Sequence, residues 1–144
     1  NFNDILKLSS SAENYAISEL TDYSLLGNKK KIFNILNENS HSIDDNILII
    51  KSFLYKLKRL KKLKSKILKK NDQNQAILSY RPLIFWKDKE IIQKQLNILS
   101  IKNINYLLRK INNLEISIKK NSTLSNELIN NFIFEMMERP NNLI

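Results

Sequence analysis

One uninterrupted run limits what this chain can become. From Ile43 to Lys70 there is no Gly and no Pro, while Ile43, Ile47, Ile50, Leu54, Leu57, Leu60, Leu63 and Ile67 recur at steps of three and four. That spacing lines one stripe of a helix with 3.6 residues per turn. About 28 residues at 1.5 Å each make a rod of roughly 40 Å, and the first breaker is Asn71. Ser42-Ile43-Asp44-Asp45 reads as its capping signal, with two acids placed where the helix dipole favours negative charge. The rod reads as the spine of the domain.

The same period recurs on both sides of it. Phe2, Ile5, Leu6 and Leu8 read as the end of an earlier element. Ser10-Ser11-Ala12-Glu13 then fits a capping box, opening a helix to about Leu26 with Tyr15, Ala16, Leu20, Tyr23 and Leu26 inward. Gly27 stands where a left-handed residue would close that helix. A helix over 29–39 buries Ile32, Phe33, Leu36 and Ile35, with Lys29, Lys30 and Lys31 crowding its positive end. Asn71–Asn74 reads as a loop and Gln75–Tyr80 as a short helical turn. A helix over 87–99 turns Ile91, Ile92, Leu96 and Leu99 inward and pairs Glu90 with Lys94. Ser100 caps another, striped by Ile101, Ile104, Leu108, Ile111, Leu114 and Ile118. Ser122 or Thr123 caps the last, which buries Leu124, Leu128, Phe132 and Met136 and ends before Pro140.

One Gly and two Pro in 144 residues are too few for a turn-rich β architecture, and 42% hydrophobic residues are enough for a core. The expected fold class is all-α: a compact helical bundle of five to six helices with one long central helix. The expected organisation is 1–9 as the tail of a preceding domain, 10–140 as the helical domain, and 141–144 as a frayed tail. A start at Asn1 rather than Met reads as a fragment of a longer protein. Cys is absent, which excludes disulfides and thiolate metal sites. No apolar run approaches the ~20 residues of a bilayer span, so no membrane partner is expected.

Catalytic motifs are missing. His41, the only histidine, sits in a polar turn away from any cluster of carboxylates, and one Gly cannot build a phosphate loop. No catalytic residue, metal site or cofactor is expected in this segment. The net charge of +10 favours an acidic partner. Between Asp45 and Asp72 no acid interrupts Lys51, Lys56, Lys58, Arg59, Lys61, Lys62, Lys64, Lys66, Lys69 and Lys70. These spread over more than half the helix circumference. The plain reading is a solvated face with long stems covering apolar neighbours. The sharper one makes Lys56, Lys58, Arg59, Lys62 and Lys66 phosphate contacts for sequence-independent DNA binding. Phe85 and Trp86 could stack bases, but an apolar aromatic stretch of this kind reads first as packing onto the helices.

The order of features resembles the C-terminal part of the delta subunit of the bacterial DNA polymerase III clamp loader. Asp22-Tyr23-Ser24-Leu25-Leu26-Gly27-Asn28 followed by Ile32-Phe33-Asn34-Ile35-Leu36 looks like the family's helix, turn and helix. Ile47 to Leu63 looks like its long helix, Leu-rich and basic in its second half. Arg81-Pro82-Leu83-Ile84-Phe85-Trp86-Lys87, then Asn105-Tyr106-Leu107-Leu108-Arg109-Lys110-Ile111, Leu114-Glu115 and Lys119-Lys120, is similar to its Pro-aromatic-Lys segment and penultimate helix. The family often has a second proline where Leu83 stands.

The resemblance implies a C-terminal helical collar that assembles with the other loader subunits, delta-prime and tau/gamma, in a hetero-pentamer. The end of a lid domain would lie at 1–9. The family grips the sliding clamp through an N-terminal AAA+-like domain, so no clamp-binding residue carries over. The parent would be classed as a DNA-directed DNA polymerase, a nucleotidyltransferase, by holoenzyme membership in DNA replication, and would be cytoplasmic and bacterial. Ile49, Phe53, Ile98, Ile116 and Met137 are then the expected subunit-interface residues, as large apolar side chains beyond the needs of one compact core. The rival reading is a stand-alone basic helical module that binds DNA through the Lys56–Lys70 helix.

Overall fold

A computed structural model of the chain describes residues 2–38 and 43–139. His41, Ser42 and Pro140, each given a role above, lie outside the described residues, as does the 141–144 tail. Among the described residues there are seven α-helices and no strand: α1 (Phe2–Leu26), α2 (Lys29–Glu38), α3 (Ile43–Lys70), α4 (Gln73–Ser79), α5 (Lys89–Ile98), α6 (Ile101–Lys120) and α7 (Ser125–Glu138), with a 3-10 turn at Ser122–Leu124. The all-α bundle around one long helix is therefore observed, with more helices than expected because the short α4 stands as an element of its own.

α3 is the hub, and it packs against α1, α4, α5, α6 and α7. Its fully buried side chains are Ile49, Phe53, Leu57 and Leu63, with Ile50 and Leu60 almost so. Phe53 meets Phe132 of α7 edge to face, with ring centroids 5.2 Å apart. That geometry suits the ring quadrupoles. Leu20 and Leu25 of α1, Ile92 of α5, Ile104 and Ile111 of α6, and Ile133 of α7 complete the core.

The joints follow from local chemistry. Gly27 adopts φ +69°. Its N–H donates to Ser24 O at 3.1 Å and that of Asn28 to Tyr23 O at 3.0 Å, closing α1 with a Schellman pair. Asn28 then caps α2, its Oδ1 accepting from the Lys31 N–H at 3.2 Å. Asn71, at φ 55°, ends α3, and Asp72 caps α4 by accepting from the Gln75 N–H. Ser100 caps α6 by accepting from the Asn103 N–H at 3.1 Å.

Several expectations are corrected. α1 runs without a break through Ser10, so the capping-box sequence there starts no helix. Its inward face is Ile17, Leu20, Thr21, Ser24 and Leu25, whereas Tyr15 is 66% exposed. The hydroxyls of Thr21 and Ser24 donate back to Ile17 O and Leu20 O. Satisfied within their own helix, these small polar residues can occupy the packing face. Phe33 of α2 is half exposed and leans on Phe134 of α7, with centroids 6.2 Å apart. On α3, Ile47 is exposed where the stripe placed it inside.

The last helix begins later than expected. Ser122 and Thr123 lie in the 3-10 turn, and Thr123 Oγ1 donates to Asn121 Oδ1 at 2.7 Å rather than capping α7. Leu124 is exposed, and Ile129, Phe132, Ile133, Met136 and Met137 form the buried side. The lysines at the start of α2 find partners within the fold: Lys29 Nζ lies 3.7 Å from a Glu138 oxygen, and Lys31 sits over the Tyr23 ring.

Candidate interaction surfaces

The expected surface residues divide sharply. Ile49 and Phe53 are fully enclosed and Met137 is 6% exposed, so these three are core. The physical reason is that α3 has neighbours on several sides, so positions off the expected stripe still face a helix, while Met137 lies on the buried side of α7. Ile98 and Ile116 do reach the surface, at 36% and 53%.

The basic residues of α3 divide in the same way. Lys56 is 7% exposed, with its Nζ 2.7 Å from Asp22 Oδ2 and in hydrogen-bond range of Ser18 O (2.9 Å) and Ser18 Oγ (2.8 Å). Three acceptors use all three ammonium protons. Burial drives the pKa of Lys56 down and Asp22 opposes the shift. Gln95 of α5 donates to Asp22 O and Oδ1, both at 3.2 Å. Lys56 is therefore an internal tie between helices rather than a free phosphate contact. Arg59 is 8% exposed, with its guanidinium carbon 5.4 Å from the Tyr55 ring centroid. The free-phosphate reading is corrected for both.

Lys58 and Lys62 are exposed and Lys66 is half-buried. They come together in a cleft of about 630 Å³, whose other wall is Ser79, Tyr80 and Arg81 at the exit of α4. Lys61 joins them there. Lys66 Nζ is 3.4 Å from Ser79 O and 5.6 Å from the Tyr80 ring centroid. Arg81 Nη1 donates to Leu78 O at 3.1 Å and Tyr80 O at 2.9 Å, anchoring the guanidinium on the C-terminal end of α4. Burial raises the pKa of the Tyr80 phenol. Reading along the sequence found the lysines but missed Arg81, whose return onto α3 depends on the angle of the α3–α4 hairpin.

The segment after Arg81 is the second surface. Only Ile84 packs on the core, whereas Leu83, Phe85 and Trp86 are 72%, 57% and 72% exposed. Phe85 and Trp86 lean on one another with centroids 5.9 Å apart, and Lys87 Nζ lies 5.5 Å from the Trp86 ring centroid. The Asp88 N–H donates to Phe85 O at 2.9 Å, so the chain turns here and α5 starts at Lys89 instead of Lys87. The expected packing of these aromatics onto the helices is corrected: the turn lifts both rings off the bundle. Phe85 also borders a groove of about 640 Å³ along α1 and α5, where Tyr15, Glu19 and Asp88 line the wall.

Among the described residues no group of His, Cys, Asp and Glu could hold a metal ion, and no helix is long and apolar enough to cross a membrane. No protein-family model, no curated protein and no solved structure matches this chain.

Proposed function

We propose that this chain is an assembly module, the C-terminal collar domain of a bacterial clamp-loader delta subunit, acting in the cytoplasm during DNA replication. It would join delta-prime and tau/gamma in a hetero-pentamer that opens the sliding clamp and loads it onto primed DNA. The reading rests on the resemblance in the sequence and on one structural observation. The segment that carries the most specific part of that resemblance, Arg81–Lys87, holds the most exposed pair of touching aromatic rings among the described residues. Exposed Trp and Phe with a Leu beside them have the composition of an interface centre rather than of a solvated loop.

The test is to mix the chain with the collar regions of delta-prime and tau/gamma and follow co-migration by size-exclusion chromatography. Co-migration that a Phe85→Ala/Trp86→Ala double variant weakens is the expected result. Failure to associate in every combination would overturn the reading.

A further inference from the structure

We infer that the cleft between α3 and the exit of α4 is a binding site for the phosphodiester backbone of a single nucleic acid strand. Lys58, Lys61, Lys62, Lys66 and Arg81 border it, and among the described residues no carboxylate does. Among the described residues none of these five makes an ion pair, whereas Lys29, Lys94, Lys110 and Lys119 each reach a glutamate. Five like charges around one cleft repel each other, and a polyanion in the cleft relieves that repulsion.

The spacing fits a strand. Lys58, Lys62 and Lys66 follow one another every four residues, about 6 Å along the axis, giving one cation per turn on a single stripe. Arg81 is already oriented by its two carbonyl contacts, so little side-chain freedom is lost on binding. Tyr55 lies on the same stripe, half exposed and braced by Arg59, and offers a ring face for a base. Cations on two facing walls suit one strand, because a duplex would meet only the rim. A lipid surface fits less well, because a plane of headgroups would meet the rim of the cleft and not the cations on its two walls. The site needs no other subunit, so its test is independent of the assembly reading.

The experiment measures the fluorescence anisotropy of a labelled oligo-dT strand against the purified chain at increasing NaCl. We expect a log–log salt slope of about −3, for about four phosphates neutralised on a single strand. Lys58→Glu/Lys62→Glu/Lys66→Glu should lower affinity by at least about tenfold, and Lys→Gln at the same positions by less, in proportion to the charge removed. The control Lys30→Glu/Lys102→Glu/Lys120→Glu makes the same change in net charge elsewhere on the surface and should have a much smaller effect. Circular dichroism melts establish that each variant is folded. Absence of binding by the parent chain, equal losses from the two Glu triples, tighter binding to a duplex of equal phosphate number, or preference for phosphatidylserine vesicles would each overturn the assignment.

Discussion

Lys56 Nζ stands 2.7 Å from Asp22 Oδ2, and the two side chains are only 9% and 11% exposed. This contact binds the most basic helix of the chain to α1 and, through Gln95, to α5. A buried pair of this kind is a weak source of net stability but leaves a large penalty when one partner is removed. Asp22→Ala should therefore destabilise the domain by about 3–5 kcal/mol, and Asp22→Leu/Lys56→Met by far less. Urea unfolding of the two variants checks this, and equal destabilisation would contradict it.

The same pair sets a pH dependence. Burial lowers the Lys56 pKa below its ordinary 10.5, with the Asp22 carboxylate pulling the other way. The folded chain thus releases this proton at a lower pH than the unfolded chain. Between the two pKa values the unfolded state binds more protons, so this group's contribution to stability rises with pH. The parent chain should gain on a Lys56→Met variant in unfolding free energy as the pH rises toward 10.5. Denaturant titrations across that range show whether the difference has the stated sign.

Gly27 gives a purely conformational test. A Cβ built there would meet nothing nearer than Met136 O at 3.9 Å, so there is room for a side chain. At φ +69° an alanine still pays roughly 1–2 kcal/mol for the left-handed conformation. Gly27→Asn should cost less, because Asn tolerates that region. Thermal melts ranking Gly above Asn above Ala would bear this out.

Burial separates the apolar residues that the sequence grouped together. Phe53→Ala should cost about 3–5 kcal/mol, since it empties the ring contact with Phe132. Ile116→Ala, at a half-exposed site, should stay within about 0.5 kcal/mol. Similar losses at the two positions in chemical denaturation would mean that α3 is not enclosed as described.

Trp86, the single tryptophan of the chain, reports on its own surface. At 72% exposure its emission should be red-shifted and readily quenched by acrylamide in the isolated chain. On the proposed association with clamp-loader collar regions the emission should shift to the blue and quenching should fall. Association with no change in either quantity would place the interface elsewhere.

Helix identity was largely legible in the sequence, because the 3.6-residue period, Gly27, Ser100 and the run to Asn71 are local signals. The face each helix buries was less so. Tyr15 and Leu26 outrank Thr21 and Ser24 in hydrophobicity, yet the small hydroxyl residues are buried because they bond to their own helix. Ile49 and Phe53 fall off a one-sided stripe, but α3 has neighbours on several sides, a tertiary property that periodicity does not encode. The exposed aromatic pair was misread for a related reason. Composition gives the tendency of Phe85 and Trp86 to be covered, but not whether the covering atoms belong to the same chain. Of the basic cleft only one wall was legible, since Arg81 reaches the other through the hairpin.

The central position of α3 also bears on how the domain comes apart. Five helices share it as a common neighbour, and most have fewer contacts with one another. Releasing one of them exposes part of the stripe that the others rely on, so the bundle should melt as one cooperative unit rather than peel from an end. The slowest-exchanging amides should then cluster around Leu57 and Leu60, midway along the rod.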